Sequence, residues 1–211
     1  MESFMKTLLL FLTIGFVIRL SWVLYKIYTS VAKFHSSKPF RTIICIGSGG
    51  HTTELLRVTG NLNMNKYRPR LYLMAENDCS SEVRVRKLEL NPENFTIARI
   101  PRSRNVRQSY LSSIFSTLKA LLRTIPIVYN FKPEVIMCNG PGTCIPICVI
   151  AFLFRILFIV DCRIVFIESV CRVNTLSLTG KILQFFADLF IVQWAQLREV
   201  CFRAKYFGRL S

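Results

Sequence analysis

The chain has 211 residues, 52% of them hydrophobic and only 19% charged, and its mean hydropathy is positive. This excludes a disordered or low-complexity chain and leaves room for one domain of ordinary size rather than two. The net charge of +16, from 28 Lys and Arg against 12 Asp and Glu, narrows the partners to nucleic acid, an anionic membrane face or a phosphate-bearing substrate.

The first predicted element is a membrane anchor. Residues 7–25 form an apolar run broken only by Arg19, long enough as a helix to span most of a bilayer core of roughly 30 Å. Arg19 stands near the C-terminal end, where it can snorkel to the interface, and Trp22 and Tyr25 are placed as interfacial aromatics. A cleavable signal peptide would need a small-x-small site after the run, and none follows. Lys6 and Glu2 precede the run, whereas Lys26, Lys33, Lys38 and Arg41 follow it, so residues 26–211 are expected in the cytosol. Residues 1–6 then form a short tail across the membrane, and residues 26–40, with Ser36-Ser37-Lys38-Pro39, read as a linker. Residues 1–40 hold five of the basic residues and one of the acidic ones, which leaves +12 on residues 41–211. The positive charge therefore belongs to the folded part.

From residue 41 onward, apolar strands alternate with helix-length segments. Strands are predicted at 42–46, 70–75, 95–100, 134–138, 163–167 and 189–193, and helices at 52–62, 80–90, 108–130, 146–156 and 177–187. Strands without strict alternation, each followed by a helix, indicate a parallel sheet covered on both faces. Right-handed crossovers make it a single doubly wound, Rossmann-like α/β domain. A second apolar stretch, 143–160, contains Pro146 and Arg155 and reads as a helix of this domain rather than a second span. The eight cysteines include no CxxC pair, and His35 and His51 stand alone. No zinc site is expected, and the cysteines read as free thiols in a reducing compartment.

Ligands of an open parallel sheet bind beyond the carboxyl ends of its strands, so the loops there are the informative ones. The first is Gly47-Ser48-Gly49-Gly50-His51-Thr52. Its glycines let backbone N–H groups approach an anion, and Ser48 and Thr52 add hydroxyls. It is not a P-loop, and Thr52 occupies the third glycine position of GxGxxG, so a dinucleotide site is disfavoured. His51 could be a general base, a phosphate donor or a cap of the turn. After the third strand, Arg99, Arg102, Arg104 and Arg107 fall within nine residues, either a phosphate-binding surface or a solvated charge run. Asn139-Gly140-Pro141-Gly142-Thr143 follows the fourth strand as a rigid turn. Glu168 ends the fifth strand, as a hydroxyl-binding carboxylate or a strand-end cap.

Five motifs in order, GSGGHTTE at 47–54, IPRSRNVRQS at 100–109, CNGPGTCIPIC at 138–148, ESVCRVNTLSLTGK at 168–181 and YFGRLS at 206–211, carry a family resemblance. The chain resembles the membrane-anchoring subunit of the two-subunit UDP-N-acetylglucosamine transferase of dolichol-linked oligosaccharide synthesis, over essentially all of residues 41–211. The resemblance implies inverting addition of a second N-acetylglucosamine to N-acetylglucosaminyl-diphosphodolichol. The site is the cytosolic face of the endoplasmic reticulum, contiguous with the nuclear envelope. It implies the N-terminal, acceptor-binding half of a GT-B glycosyltransferase, with a soluble partner supplying the donor-binding half. The acceptor diphosphate is assigned to Gly47, Ser48, Gly49, Gly50 and Thr52 with Arg102 and Arg104, and His51 is the candidate base. Asn139, Gly140, Gly142, Thr143 and Glu168 are assigned to the acceptor sugar, and Tyr206, Phe207, Gly208, Arg209 and Leu210 to the partner. No cofactor, metal or nucleic acid is implied. The alternatives are a pure membrane scaffold and a tethered nucleotide-binding oxidoreductase.

Overall fold

The computed structural model describes residues 1–29, 37–89, 91–103 and 109–210. Helix α1, Glu2–Thr29, runs beyond the apolar stretch at both ends and is long and apolar enough to cross a membrane. The α/β part then follows in the order β1 (Thr42–Cys45), α2 (Gly50–Gly60), β2 (Arg70–Ala75), α3 (Cys79–Leu88), β3 (Phe95–Ile100), α4 (Tyr110–Phe131), β4 (Val135–Asn139), α5 (Cys144–Ile156), β5 (Arg163–Ile167), α6 (Leu178–Leu183), β6 (Leu189–Val192), α7 (Leu197–Val200) and β7 (Ala204–Tyr206).

The strands form one seven-stranded sheet in the order β3-β2-β1-β4-β5-β6-β7, every pair parallel. The order reverses between β1 and β4, so the crevice of this doubly wound sheet opens where the loops after Cys45 and Asn139 meet. Side chains alternate across the pleat. Ile43, Cys45, Leu71 and Leu73 face a core layer with Val128, Cys148, Ala151 and Leu183 of α4, α5 and α6. Ile44, Ile46, Tyr72 and Met74 face the other layer with Leu55 of α2 and Val85 of α3. Burial on both faces explains why these strands read as continuous apolar runs.

Three differences from the sequence reading have physical causes. Glu134, expected to open the fourth strand, stays outside it, because its carboxylate accepts from the Arg41 amide at 2.9 Å. Gln193 leaves β6 to donate to the Glu168 carbonyl at 3.1 Å and accept from the Leu210 amide at 3.2 Å. The seventh strand was not expected: residues 204–206 are an edge with exposed Lys205 and Tyr206, and they carry no apolar pattern. The 143–160 stretch forms α5, buried along most of its length. All eight cysteines are free.

The end of α1 is packed onto this domain. Val23 and Ile27 are buried against Ile156, with Leu20 and Phe152 beside them. Arg19 donates to the Arg155 carbonyl at 3.0 Å and lies 3.8 Å from the centre of the Phe158 ring. It thereby caps the C-terminal end of α5, where a cation is favoured.

Candidate active site

A cleft of about 520 Å³ opens at the β1–β4 switch point. Gly47 and Ser48 form one wall, and Gly140, Pro141, Gly142 and Thr143 form another. Arg102 and Ser103 come from the loop after β3, Ser113 and Thr117 from α4, and Arg172, Ser177 and Thr179 from the segment after β5. Among the described residues, two arginines and no acidic side chain line it. Such a cationic, hydroxyl-rich pocket suits a phosphate-bearing ligand.

The glycine loop owes its shape to Gly49, whose φ of 64° lies in the left-handed region at the N-cap of α2. No side chain caps that helix. Thr52, predicted as a ligand donor, is buried and donates to the Gly47 carbonyl instead. Its hydroxyl stands 2.7 Å from that of Ser81, which also contacts Asp78 Oδ2 at 2.7 Å. The loop is thus held from behind, while Ser48, Gly49 and Gly50 are exposed. Arg84 braces it from outside, donating to the Gly49 carbonyl at 2.9 Å and to Thr53 Oγ1 at 2.8 Å.

His51 does not line the cleft but lies against Gly140, which does. A Cβ at Gly140 would stand 2.6 Å from His51 Cε1. His51 Nδ1 is 3.6 Å from Glu54 Oε2 and has no hydrogen-bond partner among the described residues, and 36% of the side chain is exposed. Glu54 is itself positioned: its Oε1 accepts from Ser169 Oγ at 3.0 Å, and its Oε2 from Asn139 Nδ2 at 3.3 Å. Asn139 Nδ2 also donates to the His51 carbonyl at 2.8 Å. The ends of β4 and β5 are therefore fastened to the first turn of α2 around the imidazole.

Glu168 is fully buried behind the cleft. Its carboxylate accepts from the Ser169 amide at 3.0 Å, the Ser177 amide at 2.9 Å and Ser177 Oγ at 3.1 Å. Burial pushes its pKa up despite these donors. The carboxylate closes residues 169–177 into a loop that presents Arg172 to the cleft. Behind the Asn139–Thr143 turn, Cys144 is buried and donates to the Asn139 carbonyl at 3.1 Å. Burial raises its thiol well above the usual range, so it stays neutral.

Of the residues predicted from sequence, Gly47, Ser48, Arg102, Gly140, Gly142 and Thr143 share the cleft wall. Thr52, Asn139 and Glu168 are buried behind that wall, and His51 stands beside Gly140 with its ring partly exposed. Arg104 lies outside the described residues. Arg99 is not at the cleft but engages the Glu82 carboxylate and the Glu76 carbonyl. Tyr206 ends the edge strand β7, and the tail through Phe207 and Gly208 returns to the ends of β5 and β6, where Arg209 lies 4.9 Å from the centre of the Trp194 ring and the Leu210 amide donates to Gln193 Oε1 at 3.2 Å. The sequence reading missed Arg172, Ser103, Ser113 and Thr117. Ser113 and Thr117 share a helix face at i, i+4, but Ser112, Ser116 and Thr124 stand in the same helix, so the spacing alone did not single them out.

Residues 42–210 match the family described as Oligosaccharide biosynthesis protein Alg14 like. The UDP-N-acetylglucosamine transferase subunit ALG14 of Mus musculus is 44% identical over 197 residues, covering 88% of this chain and 90% of that protein. The Homo sapiens protein of the same name is 46% identical over 80% of this chain and 82% of its own length. That of Yarrowia lipolytica is 41% identical over 81% of both. Among solved structures, Acinetobacter baumannii MurG superposes with a TM-score of 0.53 at 17% identity, covering 74% of this chain and 41% of that one. The chain thus spans less than half of that structure, and the likeness establishes a GT-B-like fold.

Proposed function

The chain belongs to the Alg14 family, and from that premise we propose that it is the acceptor-side, membrane-anchoring subunit of a UDP-N-acetylglucosamine transferase. The reaction is addition of a second N-acetylglucosamine to N-acetylglucosaminyl-diphosphodolichol. The observation that carries this reading is the cleft at the sheet's switch point, which holds Arg102 and Arg172 and, among the described residues, no acidic lining residue.

In this reading the acceptor diphosphate lies on Gly47, Ser48, Gly49 and Gly50, with Arg102 and Arg172 neutralising its charge. The sugar rests against Gly140, Gly142 and Thr143, and Asn139 and Glu168 hold those walls in place. His51 takes the proton of the acceptor hydroxyl at Nε2. Its Nδ1 faces Glu54, which stabilises the imidazolium as that proton arrives. The acceptor oxygen bonds to C1 of the donor sugar while the C1–phosphate bond breaks and its electron pair leaves with UDP. A soluble partner holding the donor docks at residues 206–210. Residues 7–25 anchor the chain in the endoplasmic reticulum, with 1–6 lumenal, 26–40 a linker and 41–211 cytosolic. Confinement to the surface that carries the acceptor raises its effective concentration.

The test is transfer from UDP-N-acetylglucosamine to a lipid diphosphate-linked N-acetylglucosamine, with this chain alone, the soluble partner alone, and both. Activity is expected only in the mixture. Full activity in the partner alone would reduce this chain to a scaffold. Activity in this chain alone would mean that it holds its own donor site.

A further inference from the structure

The loop that brings Arg172 to the cleft has little packing of its own. Residues 171–175 are all exposed, and such a segment opens readily unless hydrogen bonds tie it down. Glu168 and Ser177 close its base, and Ser169 Oγ donates to Glu54. A further tie comes from beyond β6. Trp194 Nε1 donates to the Val170 carbonyl at 2.7 Å, two residues before Arg172. Beside it, the buried Gln193 donates to the Glu168 carbonyl at 3.1 Å.

The chain's own tail covers these two residues. Gly208, with a φ of 88°, turns the tail back after β7. Arg209 then lies over the Trp194 ring, and the Leu210 amide donates to Gln193 Oε1. The Leu210 side chain packs on the core layer that holds Ile167 and Ile191. Tyr206 and Phe207, by contrast, are exposed, Phe207 by 63%. The tail therefore has two parts: exposed aromatics before the turn, and residues after it that are engaged in this chain's own fold.

We propose that Trp194 is a positioning residue for the acceptor site, holding the Arg172 loop at Val170 while Arg209 and Leu210 of the tail hold Trp194 and Gln193 in place. The proposal rests on the reading of the cleft as the site of a lipid-linked diphosphate. It gives residues 209–210 a task within this chain that does not require the partner, which is to fix where Arg172 meets the diphosphate. Tyr206 and Phe207 remain for the partner, so docking there and acceptor binding are joined through one short tail. Phenylalanine at position 194 isolates the tie, because it keeps a ring beneath Arg209 and lacks only the donor.

The test uses the full chain in detergent micelles without the partner, with a short polyprenyl diphosphate-linked N-acetylglucosamine as probe. Trp194→Phe, Arg209→Ala, Arg172→Ala and a chain ending at Tyr206 are each expected to bind the probe roughly threefold to tenfold more weakly than the natural chain, the worth of one or two hydrogen bonds. Trp194→Phe should weaken the shortened chain little further, since both changes act through the same tie. With the partner present, Trp194→Phe should raise KM for the acceptor by a similar factor and leave kcat within about twofold. General destabilisation would not give that split. Amide exchange should quicken over residues 169–177 and stay unchanged in β1. Weakened binding in Arg172→Ala with natural affinity in Trp194→Phe and Arg209→Ala would overturn the proposal and leave the cleft reading standing. A natural chain that does not bind the probe, or an Arg172→Ala chain that binds it as tightly, would remove the reading itself and this proposal with it.

Discussion

At the scale of single residues, the position of His51 is set by what its neighbours lack. A Cβ on Gly140 would stand 2.6 Å from His51 Cε1 and 3.0 Å from Nδ1, closer than unstrained carbon contacts allow. The ring is partly exposed, so it can swing away from an intruding methyl without disturbing the sheet. Gly140→Ala should therefore misplace the imidazole relative to Glu54 while leaving the fold intact. Misplacement of a reacting group by about 1 Å costs transfer on the order of 10²-fold, and melting should shift by less than about 1 kcal/mol. Transfer rates of the reconstituted pair, read beside thermal melting, separate the two effects. A Gly140→Ala chain as active as the natural one would take His51 out of the proton transfer.

At the scale of elements, the segment after β5 is shaped by a carboxylate buried behind the cleft. Glu168 accepts from two amides and one hydroxyl, and Gly180 sits so close that a Cβ there would meet Oε2 at 2.3 Å. Gly180→Ala should drive the carboxylate off Ser177 and release the loop that carries Arg172. Leaving a buried carboxylate short of donors costs roughly 1–3 kcal/mol, so Tm should fall by several degrees with a rise in KM for the lipid-linked acceptor. An unchanged Tm would show that the clasp contributes nothing to stability. This element also marks where the sequence stops being informative. The glycine loops were legible because Gly-rich turns after apolar strands have few other uses. Glu168 was ambiguous because its role depends on Ser177, nine residues on, which only the folded loop brings back. Arg172 was invisible because an arginine in a loop reads alike whether it faces solvent or a cleft.

At the scale of the whole molecule, the topology was legible and the seat of α1 was not. The alternation of apolar strands and helices fixes a parallel sheet, and loop chemistry locates its working edge. Arg19 read as a snorkelling cation, yet in the fold it caps α5 across 136 residues of chain. Arg203 does the reciprocal work from 176 residues away, donating to the Ile27 carbonyl at 2.8 Å and to the Gln184 carbonyl at 3.0 Å. Its guanidinium also lies 4.6 Å from the centre of the Tyr28 ring. No local pattern encodes such pairings. Together they make the end of α1 part of the domain, so the direction in which α1 leaves is set by the packing of the domain. Arg203→Ala should loosen only that end, since Leu20, Val23 and Ile27 still pack on Ile156 and Phe152. Loss of charge-assisted hydrogen bonds costs roughly 1.5–3 kcal/mol, expressed as faster amide exchange over residues 24–29 with residues 7–18 unchanged in vesicles. Arg203→Lys keeps the charge but not the fork that spans both carbonyls, and should fall between. Equal protection of residues 24–29 in all three chains would mean that apolar packing alone seats α1 and that the cation is incidental to it.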